Sequence, residues 1–565
     1  MSTKISTSVP LRNRIRSYLG GFVRRPMVRD KNRFLSLAHS SCEQLQKEVL
    51  RRLIDLNQQS DFSQRFRLTS TMTIDEFRRQ LPIADFELFR PYVQQMQTGR
   101  HSALLGPDNK LLMYAVTSGT TGAAKLIPVT SQFLNDYRKG WQRWGIATQQ
   151  DHPAMKTLRM VQMISDHEQW HADDGIPCGN ISGLATTMQK AIVRKLYVVP
   201  AETAKISHSA AKQYATLRFA LEEPWVGIFI TANPGTLLRF CDQMDQLAEP
   251  LIRDIHDGRL TLDDVDASVV RRLTGGLRKN PRRARQLENI LSRDGRLDPI
   301  ACWPRLACLG VWTGGSAAAY RAQLRSKFGD MPIRDHGLHA SEGRMTIPFA
   351  DNTADGILDI DSHFFEFIPV QEAGSTNPAT LLAHELQVAT EYYILLTTSS
   401  GLYRYNIRDV VRCTGFHGTT PRLQFLHKGS SISSVTGEKI SESQVVDAVN
   451  QVSTGLAIQQ YTLTPEWGEP PRYRLFVHTE SATADALFRI AEDVDRALQE
   501  INCEYSDKRQ SGRLGMIACQ QLASEHWRRF RHNQLKNSGG SEEQYKHPCL
   551  LPDPEFCDLF TDGSA

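Results

Sequence analysis

The sequence lacks the features that define several protein classes. Its ten cysteines include no Cys-x-x-Cys pair, which argues against a zinc ribbon or a thioredoxin-type site and fits reduced thiols in a cytosol. No apolar run approaches the length needed to cross a bilayer, and no apolar core segment near the start indicates a secretory signal. We therefore expect a cytoplasmic protein with no membrane partner.

Charge of one sign is also scarce. The formal net charge is +5 over 565 residues, which gives no argument for a nucleic-acid partner. The segment from Arg271 to Arg285 is rich in basic residues but has no aromatic ones, so it predicts a solvated helix pair rather than a nucleic-acid surface. No acidic residue precedes Asp30, and we interpret the arginines before it as a solvated basic start rather than a transit peptide.

The composition that remains is that of an ordinary globular protein of two or three units, with 40% hydrophobic and 23% charged residues. Short apolar runs, such as Val226 to Ile230 and Leu306 to Trp312, alternate with helical segments such as Leu237 to Ile255, which is an α/β pattern. Strand-like segments continue to about residue 425. We predict a large N-terminal domain over 1–427 and a small C-terminal domain over 428–565 after a hinge.

A hydroxyl-rich loop carries the clearest functional signal. It reads Thr117-Ser118-Gly119-Thr120-Thr121-Gly122-Ala123-Ala124-Lys125 and follows a predicted buried strand, Leu111 to Val116. Its glycines let the backbone approach a ligand, its hydroxyls donate hydrogen bonds, and its lysine brings a positive charge, so we predict a polyphosphate-binding loop. It is not a Walker A loop, because Ala124 precedes the lysine and Leu126 follows it. The alternative is an ordinary polar turn.

Two further segments contain residues suited to nucleotide chemistry. In His336 to Gly343, Ser341 and Glu342 place a hydroxyl beside a carboxylate, a pair that can ligate Mg²⁺ next to a phosphate. A surface loop is the alternative there. In Gly401 to Asp409, the final carboxylate ends a predicted strand, where it could accept both hydroxyls of a ribose. The alternative is an exposed aspartate on an edge strand.

One motif points to a different chemistry. His167-Glu168-Gln169-Trp170-His171 matches His-Glu-x-x-His, the pattern of a zinc-binding helix with a glutamate base. The Asp173 to Pro177 segment would end such a helix within about one turn, and no obvious third ligand follows. We therefore expect no zinc protease.

The order of the three nucleotide-type segments resembles the adenylate-forming enzymes. Within them, the sequence is most similar to the auxin-responsive Gretchen Hagen family of acyl-acid amido synthetases, of a bacterial type. Other segments that resemble the family extend over nearly the whole chain: Leu81 to Phe86, Trp303-Pro304, Trp312 to Ser316, Phe365 to Pro369, Gly401 to Tyr405 and Gln544 to Pro548. The resemblance implies an α/β fold, with a large N-terminal domain of mixed sheets and flanking helices and a smaller, mobile α+β C-terminal domain.

The resemblance also implies an activity. Such an enzyme adenylates a carboxylic acid with ATP and Mg²⁺, releases pyrophosphate and transfers the acyl group to an amine, usually that of an amino acid. No carrier protein is required, and we expect a monomer. The acid and the amine are not readable, and the acyl pocket is expected among the helices of residues 130–240. An acyl-CoA ligase and a non-catalytic nucleotide-binding protein are the alternatives.

Roles for single residues follow from the same motif match. The phosphates would be held by Thr117, Ser118, Gly119, Thr120, Thr121, Gly122 and Lys125. Glu342 would bind Mg²⁺, and Ser341 would lie beside the α-phosphate, so both would be catalytic. Asp409 would hold the ribose, and Gly314, in the segment from Trp312 to Ser316, would border the adenine and the acyl pocket.

The C-terminal domain would supply the last catalytic residue, Lys546. On a mobile domain this lysine would enter the site for adenylation and leave when the amine attacks.

Two positions depart from the family pattern. Leu338 stands where an aromatic residue usually packs on adenine, so base stacking is weaker or comes from elsewhere. Arg408 replaces the glycine before the ribose-binding aspartate.

Overall fold

The computed structural model of the chain describes residues 9–117, 125–163, 165–188, 191–372, 375, 377–429, 432–436, 438, 440–452, 458–479, 482–538 and 545–552. Within these ranges it has the mixed α/β architecture that the sequence predicts. No helix in the described ranges combines the length and the apolar character needed to cross a membrane.

The helices of the described ranges flank the sheets along the whole chain. They are α1 (Leu11–Ser40), α2 (Cys42–Asn57), α3 (Asp61–Arg65), α4 (Ile74–Gln80), α5 (Phe86–Gln97), α6 (Ser131–Asp151), α7 (Ile181–Thr187), α8 (Ala191–Arg194), α9 (Ser209–Glu222), α10 (Pro234–Gln246), α11 (Ala248–Asp257), α12 (Ala267–Thr274), α13 (Pro281–Asp294), α14 (Pro299–Cys302), α15 (Arg321–Phe328), α16 (Glu442–Gln451), α17 (Ala484–Ile501), α18 (Cys503–Gln510) and α19 (Ser524–Ser538).

The strands of the same ranges concentrate in the middle of the chain. They are β1 (Leu111–Thr117), β2 (Lys125–Thr130), β3 (Arg159–Gln162), β4 (Trp170–His171), β5 (Pro177–Gly179), β6 (Val226–Thr231), β7 (Cys308–Val311), β8 (Ile333–Arg334), β9 (His339–Ala340), β10 (Gly343–Arg344), β11 (Thr346–Ile347), β12 (Asp355–Leu358), β13 (Phe364–Pro369), β14 (Leu381–Leu382), β15 (Glu391–Thr397), β16 (Tyr405–His417), β17 (Thr420–Lys428), β18 (Ile432–Ser433), β19 (Ile440–Ser441), β20 (Gln460–Glu466), β21 (Arg472–His478) and β22 (Ala518–Gln521).

A parallel sheet, in the order β3-β6-β7-β8, is covered on both faces. In β6, Phe229 packs into a core formed with α9 to α13, whereas Ile228 and Ile230 pack into a second core on the other side. Alternate side chains of a strand point to opposite faces, so this strand is apolar throughout. The second core also receives α2, α5 and α6 and the seven-stranded antiparallel sheet β11-β12-β17-β16-β15-β13-β14.

A further core draws its buried residues from Ile440 to Leu550. It lies between the three-stranded sheet β20-β21-β22 and helices α16, α17 and α18. From the large N-terminal part of the chain, Ala318 and Ala319 pack against it. A separate unit needs such a core of its own. The domain division at residue 428 stays a prediction.

Local sequence signals explain several element boundaries. Helix α4 begins after Thr73, whose hydroxyl accepts from the Glu76 N–H while the Glu76 carboxylate accepts from the Thr73 N–H. The helix predicted from Leu237 to Ile255 is wrong in one respect, since it divides at Leu247 into α10 and α11.

Arg283 differs from the solvated state predicted for the segment from Arg271 to Arg285, whose other basic residues are exposed. Arg283 in α13 is buried, because its Nε donates to the Leu221 carbonyl at 2.7 Å and its Nη2 donates to the Cys302 carbonyl at 2.9 Å. The arginine-rich start from residue 11 onwards forms helix α1, which the sequence analysis did not expect. A pattern of polar residues in the sequence does not show whether an arginine will find hydrogen-bond partners in the folded protein.

A buried ion pair joins the start of β16 to β13. Arg404 donates from Nε and Nη2 to the two carboxylate oxygens of Glu366, at 2.9 and 3.1 Å. Its Nη1 also donates to the Leu81 carbonyl at 2.7 Å. Arg404 and Glu366 are both almost fully buried, so neither charge can be compensated by water.

Replacement of Arg404 by leucine should therefore destabilise the fold by about 3 kcal/mol, because the buried Glu366 carboxylate loses its bidentate partner and keeps Arg78 at 3.0 Å and the Thr380 hydroxyl at 2.8 Å. Thermal unfolding measures the effect. Arg412→Leu is the matched control, since Arg412 pairs with Glu391 at 2.8 Å where both side chains are more than a third exposed. The control should cost about 1 kcal/mol or less. Equal losses of stability for the two variants would contradict a special contribution of the buried ion pair.

Candidate active site

A cavity of about 370 Å³ opens where β1 and β2, the β9–β10 turn, β16 and β17 meet the segment 545–551. We name it the central cavity. Its lining residues are Asp85, Phe86, Glu87, Thr117, Lys125, Ala232, Trp312, Leu338, His339, Ala340, Ser341, Glu342, Tyr405, Asn406, Ile407, Arg408, Asp409, Phe425, Lys428 and Lys546. The structure thus brings together residues that stand more than four hundred positions apart in the sequence.

Both described ends of the predicted phosphate loop reach this cavity. Thr117 and Lys125 are cross-strand partners in the antiparallel pair of β1 and β2. The Lys125 ammonium lies 5.9 Å from the centroid of the Phe86 ring. The remaining predicted residues of the loop, Ser118, Gly119, Thr120, Thr121 and Gly122, lie outside the described residues.

Asp409 is turned into the cavity by an irregularity in β16. Leu395 of β15 pairs with Asn406, but Tyr393 pairs with Val410, so residues 407–409 stand opposite a single residue of β15. Such a bulge bends a strand and redirects its side chains. Asp409 is consequently buried, at 3% exposure, although the neighbouring Arg408 is exposed.

Lys428 is the charge partner of Asp409. The two residues are paired in register between β16 and β17, and the Lys428 ammonium donates to Asp409 Oδ1. Burial alone would lower the pKa of Lys428, but the charge of Asp409 and its hydrogen bond raise that pKa above its ordinary value. The lysine therefore remains cationic inside the cavity.

Glu342 is the second buried carboxylate of the cavity. Burial raises its pKa, and the charge of Asp409 adds to this effect, while Lys428 and Lys125 oppose it. The Tyr405 hydroxyl is hydrogen-bonded to the Glu342 side chain. A buried carboxylate whose charge is only partly neutralised is a suitable ligand for Mg²⁺, which proteins often hold through one or two carboxylates together with substrate phosphates.

Aromatic rings form another part of the cavity wall. The Trp312 and Phe425 rings are 5.6 Å apart, and Trp312 is 6.3 Å from the His339 ring. Burial, and next the charge of Arg344, lower the pKa of His339 to about 3, so its imidazole is neutral. Leu338 is buried and also lines the cavity. Trp312 and Phe425 therefore offer the aromatic surface that Leu338 does not.

Two other predicted residues lie close to these walls. Ser341 lines the cavity beside Glu342. Gly314 is not among the lining residues; a Cβ at this position would lie 2.9 Å from the Trp312 ring. The glycine therefore leaves room for the ring, and its predicted role toward a nucleotide is indirect in this arrangement.

Lys546 enters the cavity from the C-terminal segment. Its ammonium lies 5.4 Å from the centroid of the Trp312 ring. Burial lowers its pKa, and the charge of Lys428 lowers it further, whereas Asp409 and Glu442 oppose the shift. Both lysine side chains remain accessible to solvent, and two like charges that repel each other in one cavity form a site with a deficit of anions.

The backbone around Lys546 is held by pairing with β20. The Leu463 N–H donates to the Cys549 carbonyl at 2.9 Å, and the Leu551 N–H donates to the Leu463 carbonyl at 3.0 Å. His547 is buried, and its Nε2 lies 2.9 Å from the Tyr461 carbonyl while its Nδ1 lies 2.9 Å from the Gln460 amide nitrogen. Burial lowers the pKa of His547 to about 4. This neutral histidine follows Lys546 in the sequence, so its contacts hold the backbone that carries the lysine.

The sequence analysis missed several residues of the cavity, namely Lys428, His339, Tyr405 and Phe425. Lys428 could have been found from the register of a β16–β17 hairpin, which places it opposite Asp409. No pattern in the sequence indicates the aromatic residues, because their approach depends on the packing of separate segments.

The His-Glu-x-x-His segment does not form a helix. Trp170 and His171 belong to strand β4, and the Glu168 carboxylate pairs with Lys205 at 2.7 Å and with His171 at 3.2 Å. The two histidines consequently do not share a helix face, as a zinc site of this type requires. The motif is a chance match to the pattern.

Comparisons with known proteins agree with this arrangement. The N-terminal, central and C-terminal domains of the GH3 family match residues 31–333, 356–428 and 442–555. The chain therefore belongs to the GH3 family, which is the Gretchen Hagen family of the resemblance. The prediction of the family is confirmed.

Curated relatives and solved structures cover nearly the whole chain. An indole-3-acetic acid-amido synthetase GH3.8 of Oryza sativa subsp. indica is 24% identical, with 94% of this chain and 92% of the relative covered. A jasmonoyl--L-amino acid synthetase GH3.5 of Oryza sativa subsp. japonica is 23% identical, with 89% and 91% covered. The structure of a GH3.15 acyl acid amido synthetase matches with a TM-score of 0.80 at 19% identity and covers 93% of this chain and 95% of its own. The predicted fold class is thus confirmed.

Arg408 allows a test of the bulge. Its φ is +61°, a left-handed conformation that glycine adopts without steric cost. Arg408→Gly should therefore be more stable than Arg408→Ala by about 1 kcal/mol, as measured by denaturant unfolding. At Arg412, which has no such φ, the order should reverse, since glycine weakens a regular strand. If the glycine and alanine variants had the same order of stability at both positions, the backbone at Arg408 would not be strained.

Proposed function

We propose that the protein is an ATP-dependent acyl-acid amido synthetase that adenylates a carboxylic acid and transfers the acyl group to the amine of an amino acid. The observation that supports this most directly is the meeting of Lys125, Lys428 and Lys546 with Glu342 and Asp409 in one cavity. Membership of the GH3 family and the names of the relatives point to the same activity. Cytoplasmic location, a monomeric state and independence of a carrier protein are parts of this proposal.

ATP would lie in the central cavity with its phosphates between Lys125 and Glu342. Asp409 would accept hydrogen bonds from the ribose, which requires the ribose hydroxyls to share this carboxylate with Lys428. Glu342 would hold Mg²⁺, and the bound ion would supply charge neutralisation at the phosphates. Ser341 would lie beside the α-phosphate. The base would pack against the rings of Trp312 and Phe425.

Lys546 would stabilise the adenylation step. When a carboxylate attacks the α-phosphate, two anions approach each other and negative charge grows on the phosphoryl oxygens. The Lys546 ammonium lines the same cavity as Lys125 and Lys428, so it could add positive charge where this negative charge grows. The repulsion between Lys546 and Lys428 is relieved only when an anion lies between them.

The acid would occupy a second cavity, of about 220 Å³, which we name the apolar cavity. It lies between α6 and the parallel sheet, and Trp141, Trp144, Ile228 and Ile230 are among its lining residues. The Trp141 ring lies 5.5 Å from the ring of His339, which lines the central cavity. An apolar acid placed here would direct its carboxylate past His339 toward the α-phosphate.

The small C-terminal domain would then move away for the second half-reaction. In the present arrangement Asn233 donates from its side-chain amide to the Tyr545 carbonyl, next to Lys546, and Gln323 donates likewise to the Gln459 carbonyl. These few polar contacts are easily exchanged for water. Rotation about a hinge near residue 428 would withdraw Lys546 and admit the amine.

Product analysis tests the function. The full chain is incubated with ATP, Mg²⁺, a panel of carboxylic acids and either amino acids or CoA, and the products are identified by mass spectrometry. The proposal predicts an amide together with AMP and pyrophosphate. A thioester would indicate an acyl-CoA ligase instead, and nucleotide binding with no product from any acid would indicate a non-catalytic protein.

Lys546 should make the first half-reaction depend on pH. Because burial lowers its pKa, the ammonium is lost as the pH rises through that lowered value, and the rate of ATP–pyrophosphate exchange should fall on the alkaline side. Lys546→Arg should remain active at higher pH than the wild type, because a guanidinium stays protonated. An unchanged alkaline limb in this variant would rule out Lys546 as the titrating group.

Removal of the Lys546 charge should affect the two half-reactions differently. Lys546→Ala should lower the exchange rate by about a hundredfold or more, whereas transfer from a chemically prepared acyl-adenylate to the amine should change little. Lys536→Ala is the matched control, since Lys536 is exposed on α19 of the same domain. Intact exchange in Lys546→Ala would show that the assigned role is wrong.

A glycine in the apolar cavity tests the position of the acid. Gly145 lines this cavity, and a Cβ at this residue would meet no atom within 4 Å. Gly145→Leu should therefore fill the space without distorting the fold and raise the KM for the acid by about tenfold, with little effect on the KM for ATP. Gly276→Leu is the control, because Gly276 also has open space but lies outside the cavity. An unchanged KM in Gly145→Leu would place the acid elsewhere.

A further inference from the structure

Helix α1 exposes a row of large apolar side chains. Leu11, Ile15, Tyr18, Leu19 and Phe22 are between 50% and 74% exposed. At 100° per residue these five positions fall within a sector of about 100°. We name this row the apolar stripe. Single exposed apolar residues are common, but a contiguous row on a described helix marks an interaction surface.

Arginines surround the apolar stripe. Arg12 flanks one side of it, Arg14 and Arg25 flank the other, and Arg29 continues the same face toward the C-terminal end of the helix. All four are exposed. The Arg25 guanidinium lies 5.6 Å from the centroid of the Phe22 ring. The sequence has no acidic residue before Asp30, so helix α1 contributes charge of one sign to this face, and Glu223 of a neighbouring segment pairs with Arg12 at 3.8 Å.

The opposite side of the helix is attached to the body of the protein. Phe34 and Ala38 are buried in the core, and the Arg16 guanidinium donates to the Thr157 carbonyl at 3.2 Å. Val23 and Met27 line the apolar cavity. The helix is therefore fixed with the apolar stripe facing outward, and the stripe is not needed to hold it in place.

The apolar stripe is also separate from the family's own domains. The match to the GH3 N-terminal domain begins at residue 31, whereas the stripe ends at Phe22. The proposed chemistry uses no residue of the stripe. Neither packing against the body of the protein nor the proposed chemistry accounts for its exposed apolar character.

We propose that α1 binds the surface of a lipid bilayer with anionic headgroups. The helix would lie in the plane of the interface, with the apolar stripe among the acyl chains and the arginines at the headgroups. A basic amphipathic helix of this kind lies on a membrane without spanning it, so the expectation of no membrane partner, which rested on spanning length, does not address it.

Charge decides between a membrane and a second copy of the chain as the occupant. Two copies joined through the apolar stripe would bring Arg14 and Arg25 of one close to arginines of the other, and the nearby carboxylate, Glu223, is nearly buried and already paired with Arg12 at 3.8 Å. An anionic bilayer covers the apolar side chains and neutralises the arginines together. The complementary charge therefore favours the lipid surface.

Co-sedimentation of the full chain with vesicles tests the proposal. Vesicles of phosphatidylcholine mixed with phosphatidylserine should bind the protein, and vesicles of phosphatidylcholine alone should bind it less. Phe22→Ser should lower the partition coefficient by about tenfold, because an apolar anchor is lost. The double variant Arg25→Gln with Arg29→Gln should lose most of the preference for phosphatidylserine.

Phe488→Ser is the matched control, because Phe488 is 54% exposed compared with 60% for Phe22 and lies on α17, away from the apolar stripe. It should bind vesicles as the wild type does. Absence of binding to phosphatidylserine vesicles, or an equal loss in the two phenylalanine variants, would overturn the proposal. It would also be overturned if light scattering showed a dimer that Phe22→Ser dissociates and the vesicles bound nothing.

Discussion

The arrangement of the site depends on the repulsion between Lys428 and Lys546, which line one cavity. Asp409 neutralises the first lysine by a direct hydrogen bond, whereas the second contacts the face of Trp312, and its pKa is lowered by burial and by its neighbour. Such a pair is unfavourable unless a ligand supplies negative charge. The phosphates of ATP would supply it, so the repulsion between the two lysines would favour a polyanionic ligand.

Backbone geometry creates this charge pattern. The bulge at residues 407–409 turns Asp409 inward, the hairpin of β16 and β17 brings Lys428 opposite to it, and pairing of residues 549–551 with β20 delivers Lys546. The first two belong to one sheet and are fixed relative to each other. The third belongs to the C-terminal core, so its position relative to the other two depends on how that core packs against the rest of the chain. A docked lysine of this kind is suited to one half-reaction.

Much of the site could be predicted from the sequence, because its residues lie in short motifs with distinct chemistry. The described residues Thr117, Lys125, Glu342, Asp409 and Lys546 all line the central cavity, and the roles that the resemblance implied for them stay predictions. Properties that depend on tertiary packing could not be predicted. The burial of Arg283, the neutral state of His339 and the apolar stripe of α1 all depend on which elements pack together, and local patterns do not contain that information.

The central claim is that the carboxylate of the acid becomes bonded to the α-phosphate of ATP. Oxygen-18 in the carboxylate of the acid tests this directly when the fate of the label is followed through one round of amide formation. Attack on the α-phosphate predicts one labelled oxygen in AMP and none in pyrophosphate, since the amine displaces AMP together with a carboxylate oxygen. Label in inorganic phosphate, or amide formation with unlabelled AMP, would contradict the account.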